Sequence, residues 1–130
     1  MRGTVLITGA TSGIGASLAQ EFANHDYRLV ITSRSEADLL ALKTSLDSKI
    51  ETVVADLSTP DGVQRLIDSQ QGQDIDILVN NAAQLLWGNF QEHDVQAIKD
   101  LLAVNIQALT TLSGHFIKGM LRRGTGKILN

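Results

Sequence analysis

The residues that decide the fold, Thr8–Gly15, read TGATSGIG. They follow an apolar run, Thr4–Thr8, and open a segment with helical periodicity, Gly13–His25. Glycine permits a tight turn and allows another group to come close to the backbone. The stretch therefore predicts a strand-to-helix turn that a ligand or a neighbouring element approaches closely.

The same alternation of strand and helix continues along the chain. Further apolar runs, rich in Val, Ile and Leu, lie at Leu29–Thr32, Thr52–Ala55, Ile75–Val79 and Lys127–Leu129. Helical segments lie between them, at Glu36–Leu46, Pro60–Gln70 and His93–Arg122. Runs without strict alternation are typical of strands that are buried on both faces. We therefore predict an α/β fold with a doubly wound, Rossmann-like parallel sheet of about five strands.

Two helix starts can be placed from their first residues. Pro60 suits the first turn of a helix, which predicts Ser58 or Thr59 as the N-cap. Ser35 directly precedes Glu36, and its hydroxyl predicts an N-cap for the second helix. No linker or short repeat divides the chain, so we expect a single domain over residues 1–130.

Composition and charge narrow the class of protein. Of the 130 residues, 43% are hydrophobic and 19% are charged, which is typical of a globular domain. The formal net charge of −3 provides no basic surface for nucleic acid. No apolar run approaches the ~20 residues that span a bilayer, and the lack of cysteine excludes disulfides and thiolate chemistry. The three histidines show no metal-ligand spacing. We expect a cytoplasmic protein without nucleic-acid, membrane or metal partners.

A glycine-rich turn at the start of a helix has a known physical use. The first backbone N–H groups of a helix have no intrahelical partner, and the helix dipole adds about half a positive charge there. Such a terminus can bind a pyrophosphate without a lysine. The spacing Gly9-x-x-x-Gly13-x-Gly15 differs from the G-x-G-x-x-G dinucleotide fingerprint. A purely structural turn therefore stays open as the alternative.

Several motifs, in order along the chain, resemble those of the short-chain dehydrogenase/reductase family. TGATSGIG resembles the family's cofactor motif, and DLS at Asp56–Ser58 resembles its adenine-side Asp-Leu pair. DILVNNAA at Asp76–Ala83 resembles its Asn-Asn-Ala-Gly strand end, and VNIQALTTLSGHF resembles its fourth helix. GKILN resembles the start of its fifth strand, so the resemblance extends from Thr4 to Asn130.

The resemblance implies a nicotinamide dinucleotide held by the residues of these motifs. They are Gly9, Thr11, Ser12, Gly13, Ile14 and Gly15 at the turn, and Asp56, Leu57, Asn81, Ala82 and Ala83 after the third and fourth strands. The family usually has glycine where this chain has Ala83. We expect the added methyl group to crowd the nucleotide ribose slightly without abolishing binding.

The end of the second strand predicts which nicotinamide nucleotide is preferred. In a doubly wound fold the adenine ribose lies there, and NAD-preferring sites usually carry a carboxylate at this point. This chain has Ser33 and Arg34, which suit a 2′-phosphate. One charge-assisted hydrogen bond contributes about 1.5–3 kcal/mol, roughly a tenfold to over a hundredfold preference. We therefore predict NADP; a solvated surface arginine is the alternative.

The resemblance also implies hydride transfer between the nicotinamide and a small carbonyl or alcohol. In the family this chemistry needs a serine, a tyrosine and a lysine four residues after the tyrosine, all beyond the fifth strand. The chain has one tyrosine, Tyr27, with Ile31 four residues later. Of the family's catalytic set only the helix asparagine, Asn105, has a position here. Asn105 also falls in the apolar stripe of its helix, where a polar residue is usually a register or network device, and both interpretations stay open.

Two functions are consistent with these motifs. In the first, the chain is the NADP-binding portion of a short-chain oxidoreductase, truncated before the catalytic helix and catalytically incomplete by itself. In the alternative, it is a non-catalytic nucleotide-sensing or assembly module. In both cases the apolar 93–122 helix and the unpaired edge of the last strand predict a homo-oligomer.

Overall fold

The computed structural model describes all 130 residues and contains one five-stranded parallel sheet. Its strands are β1 (Thr4–Thr8), β2 (Arg28–Ser33), β3 (Ile50–Val54), β4 (Ile77–Val79) and β5 (Lys127–Leu129). Its α-helices are α1 (Gly13–Asn24), α2 (Glu36–Ser45), α3 (Pro60–Ser69), α4 (Val95–Leu102) and α5 (Leu109–Arg123). The strand order β3-β2-β1-β4-β5 confirms the predicted doubly wound α/β fold.

Both faces of the sheet are buried, as the apolar runs predicted. On one face Leu6, Val30 and Leu78 belong to a core cluster with residues of α3 and α5. On the other face Ile7 and Ile31 belong to a second cluster with residues of α1 and α2. Successive residues of a strand point to opposite faces, so a strand covered on both sides has few polar positions.

No helix of the protein combines the length and the apolar character that a bilayer crossing requires.

Side-chain caps define the starts of two helices. The Ser35 hydroxyl accepts a hydrogen bond from the Asp38 backbone N–H at 3.2 Å, which confirms the predicted cap of α2. The Thr59 hydroxyl accepts from the Gly62 N–H at 3.0 Å, so Thr59 rather than Ser58 caps α3. Pro60 follows at the first helical position, where a backbone N–H has no intrahelical acceptor.

The last helix differs from the prediction of one continuous helix over His93–Arg122. It begins at Val95, ends at Arg123, and contains a π-helical segment, Ala103–Ala108, between α4 and α5. A π-helical turn closes i→i+5 hydrogen bonds, so it inserts about one extra residue into an otherwise α-helical path. Periodicity alone did not reveal this because apolar residues continue on both sides of the insertion. β4 is also shorter than its predicted run, beginning at Ile77 rather than Ile75.

The order of the strands sets the position of the site. β1 lies at the centre, with β2 on one side and β4 on the other. Connections therefore leave the centre of the sheet in opposite directions, and a crevice opens at the carboxyl ends of β1 and β4. The glycine turn after β1 and the Asn-Asn-Ala-Ala segment after β4 both start at this crevice.

Candidate functional site

A cleft of about 600 Å³ opens at the carboxyl ends of the strands and is lined by 16 residues. Ten of them were predicted from the sequence: Gly9, Thr11, Ser12, Ser33, Arg34, Asp56, Leu57, Asn81, Ala82 and Ala83. Six were not: Thr32, Ser35, Asp38, Ala55, Gln84 and Val104. Motifs separated by many residues in the chain are therefore brought together around one cavity.

Glycine is favoured at each of the three positions of the turn for a different structural reason. Gly9 has φ +61°, and a Cβ on it would lie 2.9 Å from the Ala82 Cα. A Cβ on Gly15 would overlap the Gly9 carbonyl oxygen and the Asn81 amide. Gly13 has φ +54° but open space around it, so its backbone conformation alone favours glycine. Gly13, Ile14 and Gly15 do not line the cleft; Gly15 lets α1 pack against the turn.

The start of α1 is suited to an anion. Ser12 occupies the N-cap position with an extended backbone, yet its side chain forms no capping hydrogen bond. The first turn of this 12-residue helix contains no acidic residue. The positive end of the helix dipole and the first backbone N–H groups are therefore not neutralised by the helix's own side chains.

Hydrogen bonds hold the segment after β4 against the glycine turn. The Thr8 hydroxyl accepts from the Ala82 N–H at 2.9 Å and donates to the Val79 carbonyl at 3.4 Å. The Asn81 side-chain amide donates to the Gly9 carbonyl at 2.9 Å. Because Thr8 is 1% exposed, these bonds are shielded from water and define the spacing between the two walls of the cleft.

Asn105 forms a two-bond pair with the backbone of Gln84. Its Oδ1 accepts from the Gln84 N–H at 2.7 Å, and its Nδ2 donates to the Gln84 carbonyl at 2.8 Å. The side chain thereby ties the π-helical segment to the loop after β4, which is the network role considered for it. Asn105 does not line the cleft, and its assignment as a catalytic residue stays a prediction.

Asp56 lines the cleft, and its hydrogen bonds favour the ionised carboxylate. The Ser58 hydroxyl donates to the Asp56 carboxylate at 2.7 Å and the Ser58 N–H donates at 3.0 Å. These two bonds, with a smaller contribution from the Arg34 charge, lower the pKa of Asp56 against the opposing effect of burial. The carboxylate is therefore available as an acceptor facing the cleft at neutral pH.

Ala83 occupies the position where the resemblance leads one to expect glycine. Its backbone is not in the left-handed region, because Asp26 is the only non-glycine residue with positive φ. An alanine is thus accommodated without backbone strain, and its methyl group contributes to the wall of the cleft.

Of the six lining residues that were not predicted as binding residues, Thr32 and Ala55 had a recognisable signal. Each is the last residue of a predicted buried strand, at the sheet edge where the carboxyl ends of parallel strands border a ligand site. Ser35 is the N-cap of α2, and Asp38 lies in the first turn of that helix. Gln84 and Val104 line the cleft because distant segments of the chain pack together there. No local pattern distinguishes these four from ordinary turn and helix residues.

Comparison with known proteins extends over nearly the whole chain. A family model described as short chain dehydrogenase matches residues 3–130. An uncharacterized oxidoreductase from Staphylococcus saprophyticus is 36% identical over 132 residues, covering 96% of this chain and 56% of that protein. The NADP-dependent 3-hydroxy acid dehydrogenase of Salmonella typhi is 32% identical over 130 residues, covering 97% of this chain and 52% of that protein.

Solved structures show the same relationship. The bulky-bulky ketone specific alcohol dehydrogenase from Comamonas testosteroni superimposes with a TM-score of 0.91 at 31% identity, covering 98% of this chain and 53% of that one. A short-chain dehydrogenase from Sphingobium yanoikuyae in complex with NADPH gives 0.89 at 35% identity, covering 97% and 52%. The chain therefore spans about half the length of the relatives and structures that it matches.

Proposed function

The chain belongs to the short-chain dehydrogenase/reductase family, and from this premise we propose that its strand-end cleft binds NADP(H). The observation that carries the proposal is the cleft of about 600 Å³, whose lining includes both Ser12, the N-cap of α1, and Arg34. Residues 1–130 would then be one Rossmann-type nucleotide-binding domain.

The start of α1 would hold the diphosphate. The unpaired N–H groups of its first turn, the free Ser12 hydroxyl and the absence of acidic side chains fit a doubly charged group. Gly9 and Gly15 allow the turn to lie against Ala82 and Asn81, so the diphosphate would pass close to the backbone. The thirteen cofactor-binding residues predicted from the sequence include ten on the cleft wall, which supports the assignment.

Arg34 and Ser33 would give the cleft a higher affinity for NADP than for NAD. Both line the cleft at the carboxyl end of β2, where the adenine ribose lies in a doubly wound fold. A guanidinium pairs with a phosphate through short, charge-assisted hydrogen bonds. The preference is also consistent with a relative named as NADP-dependent and a structural neighbour described in complex with NADPH.

The whole protein would be an oxidoreductase acting on a small carbonyl or alcohol. The nicotinamide, when bound, supplies or accepts the hydride. This chain's residues would position it: the Asn105–Gln84 pair fixes the loop after β4, and Ala82 and Ala83 form the adjoining wall. Tyr27 and Ile31 do not form a Tyr-x-x-x-Lys pair, so proton transfer to the substrate would depend on residues beyond this chain.

Two finer features belong to the same proposal. We infer a homo-oligomer that forms through the 93–122 helix or through the edge of β5, because apolar side chains are exposed on both. A cytoplasmic location is consistent with the lack of cysteine.

Titration of the purified chain with NADPH and with NADH, followed by nicotinamide fluorescence, tests the proposed function. We expect saturable binding of NADPH and weaker binding of NADH. If neither nucleotide binds at millimolar concentration, the cleft is not a nicotinamide nucleotide site. If the chain alone reduces a ketone, the proposal that proton transfer needs further residues is wrong.

A further inference from the structure

Six exposed positions along the last helix form one stripe that reads the same in both directions. Their spacings of four and three residues place them on one helical face. The order is two large apolar residues, two small residues and two large apolar residues: Leu102, Ile106, Thr110, Gly114, Ile117 and Leu121. We call this face the outer stripe. A surface with such symmetry is suited to pairing with a second copy of itself across a two-fold axis.

The two small residues at the centre of the outer stripe allow another helix to come close. A Cβ on Gly114 would meet no atom within 4 Å, so no contact inside the protein requires glycine there. Glycine nevertheless destabilises a helix by about 1 kcal/mol relative to alanine. The Thr110 hydroxyl donates to the Ile106 carbonyl at 2.6 Å, so its polar group is satisfied within the helix. The centre of the stripe is therefore shallow and needs no polar partner.

Charges of opposite sign lie toward the two ends of the outer stripe. Residues 92–100 contain three acidic side chains and one lysine: Glu92, Asp94, Asp100 and Lys99. Residues 118–127 contain only basic charges, of which Lys118, Arg122 and Lys127 are exposed and form no ion pair. An antiparallel pair of these helices brings the acidic end of each copy to the basic end of the other. A parallel pair would bring like charges together.

The same antiparallel arrangement accounts for two further uncovered surfaces. A groove of about 450 Å³ shares Ile117 and Leu121 with the outer stripe and is also lined by Ile128. At the other end of the stripe, α4 has no buried residue, and Val95 is 63% exposed. When Ile106 of one copy lies opposite Ile117 of the other, Val95 falls opposite Ile128. The start of α4 in one copy would thus cover the groove of the other.

The edge of β5 is less suited to pairing. This strand has three residues, and Lys127 at its start is exposed. Short edge strands that carry lysine are typical of edges that avoid pairing with another chain. Of the two surfaces considered for the homo-oligomer, the observations therefore favour the helix.

We infer that two copies of this chain pair through the outer stripe, antiparallel about a two-fold axis at the level of Thr111 and Leu112. In this register Ile106 of one copy contacts Ile117 of the second copy, and Leu102 contacts Leu121. The inference rests on the homo-oligomer of the proposed function, which left the helix and the strand edge open. It does not depend on nucleotide binding.

Cysteine cross-linking tests the register directly, because the chain contains no cysteine of its own. Ile106→Cys and Ile117→Cys, at exposed positions, are purified separately and oxidised alone and as a mixture in which one variant carries a tag. We expect a disulfide-linked dimer of the two variants in the mixture, and at least about tenfold less dimer from either variant alone. In the inferred register, identical positions lie 11 residues apart along the helix, about 16 Å, whereas a disulfide spans less than about 7 Å between Cα atoms.

Controls and alternatives give distinct results. Leu40→Cys, equally exposed on α2, should cross-link with none of the variants. Cross-linking of each variant with itself would show a parallel pair and overturn the inference. A dimeric wild type without any cross-link through positions 106 and 117 would also overturn it, while leaving the homo-oligomer in place. A monomeric wild type would overturn both.

A charge exchange tests the antiparallel direction independently. Arg122→Glu should raise the dissociation constant of the dimer about fivefold, the effect of one exposed ion pair. Adding Asp100→Lys to the same chain should restore the affinity, because the two charges then attract again with their signs exchanged. Arg65→Glu, exposed on α3, is the matched control and should leave the dissociation constant unchanged. If the double variant dissociates more readily than Arg122→Glu, the antiparallel arrangement is wrong.

Discussion

At the scale of single residues, the cleft has an uneven distribution of charge. Arg34 is the only cationic side chain among the lining residues, and Asp38 and Asp56 are the only anionic ones. Arg34 is exposed and forms no ion pair with a protein carboxylate. Its guanidinium is therefore free to pair with a phosphate.

We expect Arg34→Asp to weaken NADPH binding roughly tenfold to a hundredfold and NADH binding much less, because one charge-assisted hydrogen bond is replaced by repulsion. Fluorescence titration with the two reduced nucleotides measures both losses. Arg65→Asp makes the same charge change on the exposed side of α3, away from the cleft, and serves as the control. Equal losses for both nucleotides would contradict the assignment of Arg34.

At the same scale, the Asp56 carboxylate should make the free energy of unfolding depend on pH. The Ser58 hydroxyl and N–H lower the pKa of Asp56, so the folded state favours its carboxylate. A carboxyl group with a depressed folded pKa stabilises the fold above its unfolded pKa of about 3.9, and this contribution is lost as pH falls through the folded pKa. We expect Asp56→Asn to lower the free energy of unfolding at neutral pH, with the difference from the wild type vanishing at strongly acidic pH.

Urea unfolding across that pH range checks the expectation. The asparagine can still accept hydrogen bonds from Ser58, so the substitution removes charge with little change of shape. Asp47→Asn changes an exposed carboxylate that forms no side-chain hydrogen bond and should show a smaller difference at neutral pH. A difference for Asp56→Asn that stays constant down to strongly acidic pH would count against the role of the charge.

At the scale of elements, the π-helical segment connects the last helix to the sheet. Ala103–Ala108 brings Asn105 to the loop after β4, where its side chain hydrogen-bonds both the backbone N–H and the carbonyl of Gln84. Insertions of this kind often occur at functional positions, because they direct a side chain out of the regular helical path. The element therefore shapes the cleft without lining it through Asn105 itself.

We expect Asn105→Ala to speed hydrogen exchange at the Gln84 amide and to lower the free energy of unfolding by about 1–3 kcal/mol, because both Gln84 backbone groups lose their partner. Hydrogen exchange monitored by mass spectrometry measures the first effect, and urea unfolding measures the second. Gln107→Ala lies in the same segment, is exposed and forms no side-chain hydrogen bond, so it controls for a change in helix propensity. Unchanged exchange at Gln84 would show that the pair does not hold the loop.

At the scale of the whole molecule, apolar side chains are exposed along the last helix. Val95, Leu102, Ile106, Ile117 and Leu121 are between 41% and 72% exposed. Leu129, on the edge strand β5, is 50% exposed. Surfaces of this kind mark interfaces, and an uncovered strand edge can pair with another chain.

Light scattering at micromolar concentration should therefore detect a dimer or a larger assembly. Ile106→Glu should dissociate it if the helix forms the interface, and Leu129→Lys should do so if the edge of β5 forms it, because each places a charge in an apolar contact. Leu40→Glu, at an equally exposed position on α2, is the matched control. A monomeric wild type would contradict the prediction.

The helix starts show how far local signals extend. Pro60 and Ser35 marked two of them correctly, because a cap acts within one turn. Ser58 and Thr59 could not be separated in the same way, since the choice depends on Asp56, whose carboxylate engages Ser58. Arg34 and Asp56 were identified from motifs, but their place on one cleft wall depends on the pairing of β2 with β3.

By itself the sequence determined the alternation of buried strands and helices, the glycine turn and the family, because periodicity, glycine and short motifs act between neighbouring residues. The tertiary structure alone decided which polar groups are satisfied. Ala82 bonds Thr8 across 74 residues and Gln84 bonds Asn105 across 21, while Thr32 is left without a protein partner. Such pairings depend on how distant segments meet in space, and a one-dimensional pattern does not contain that information.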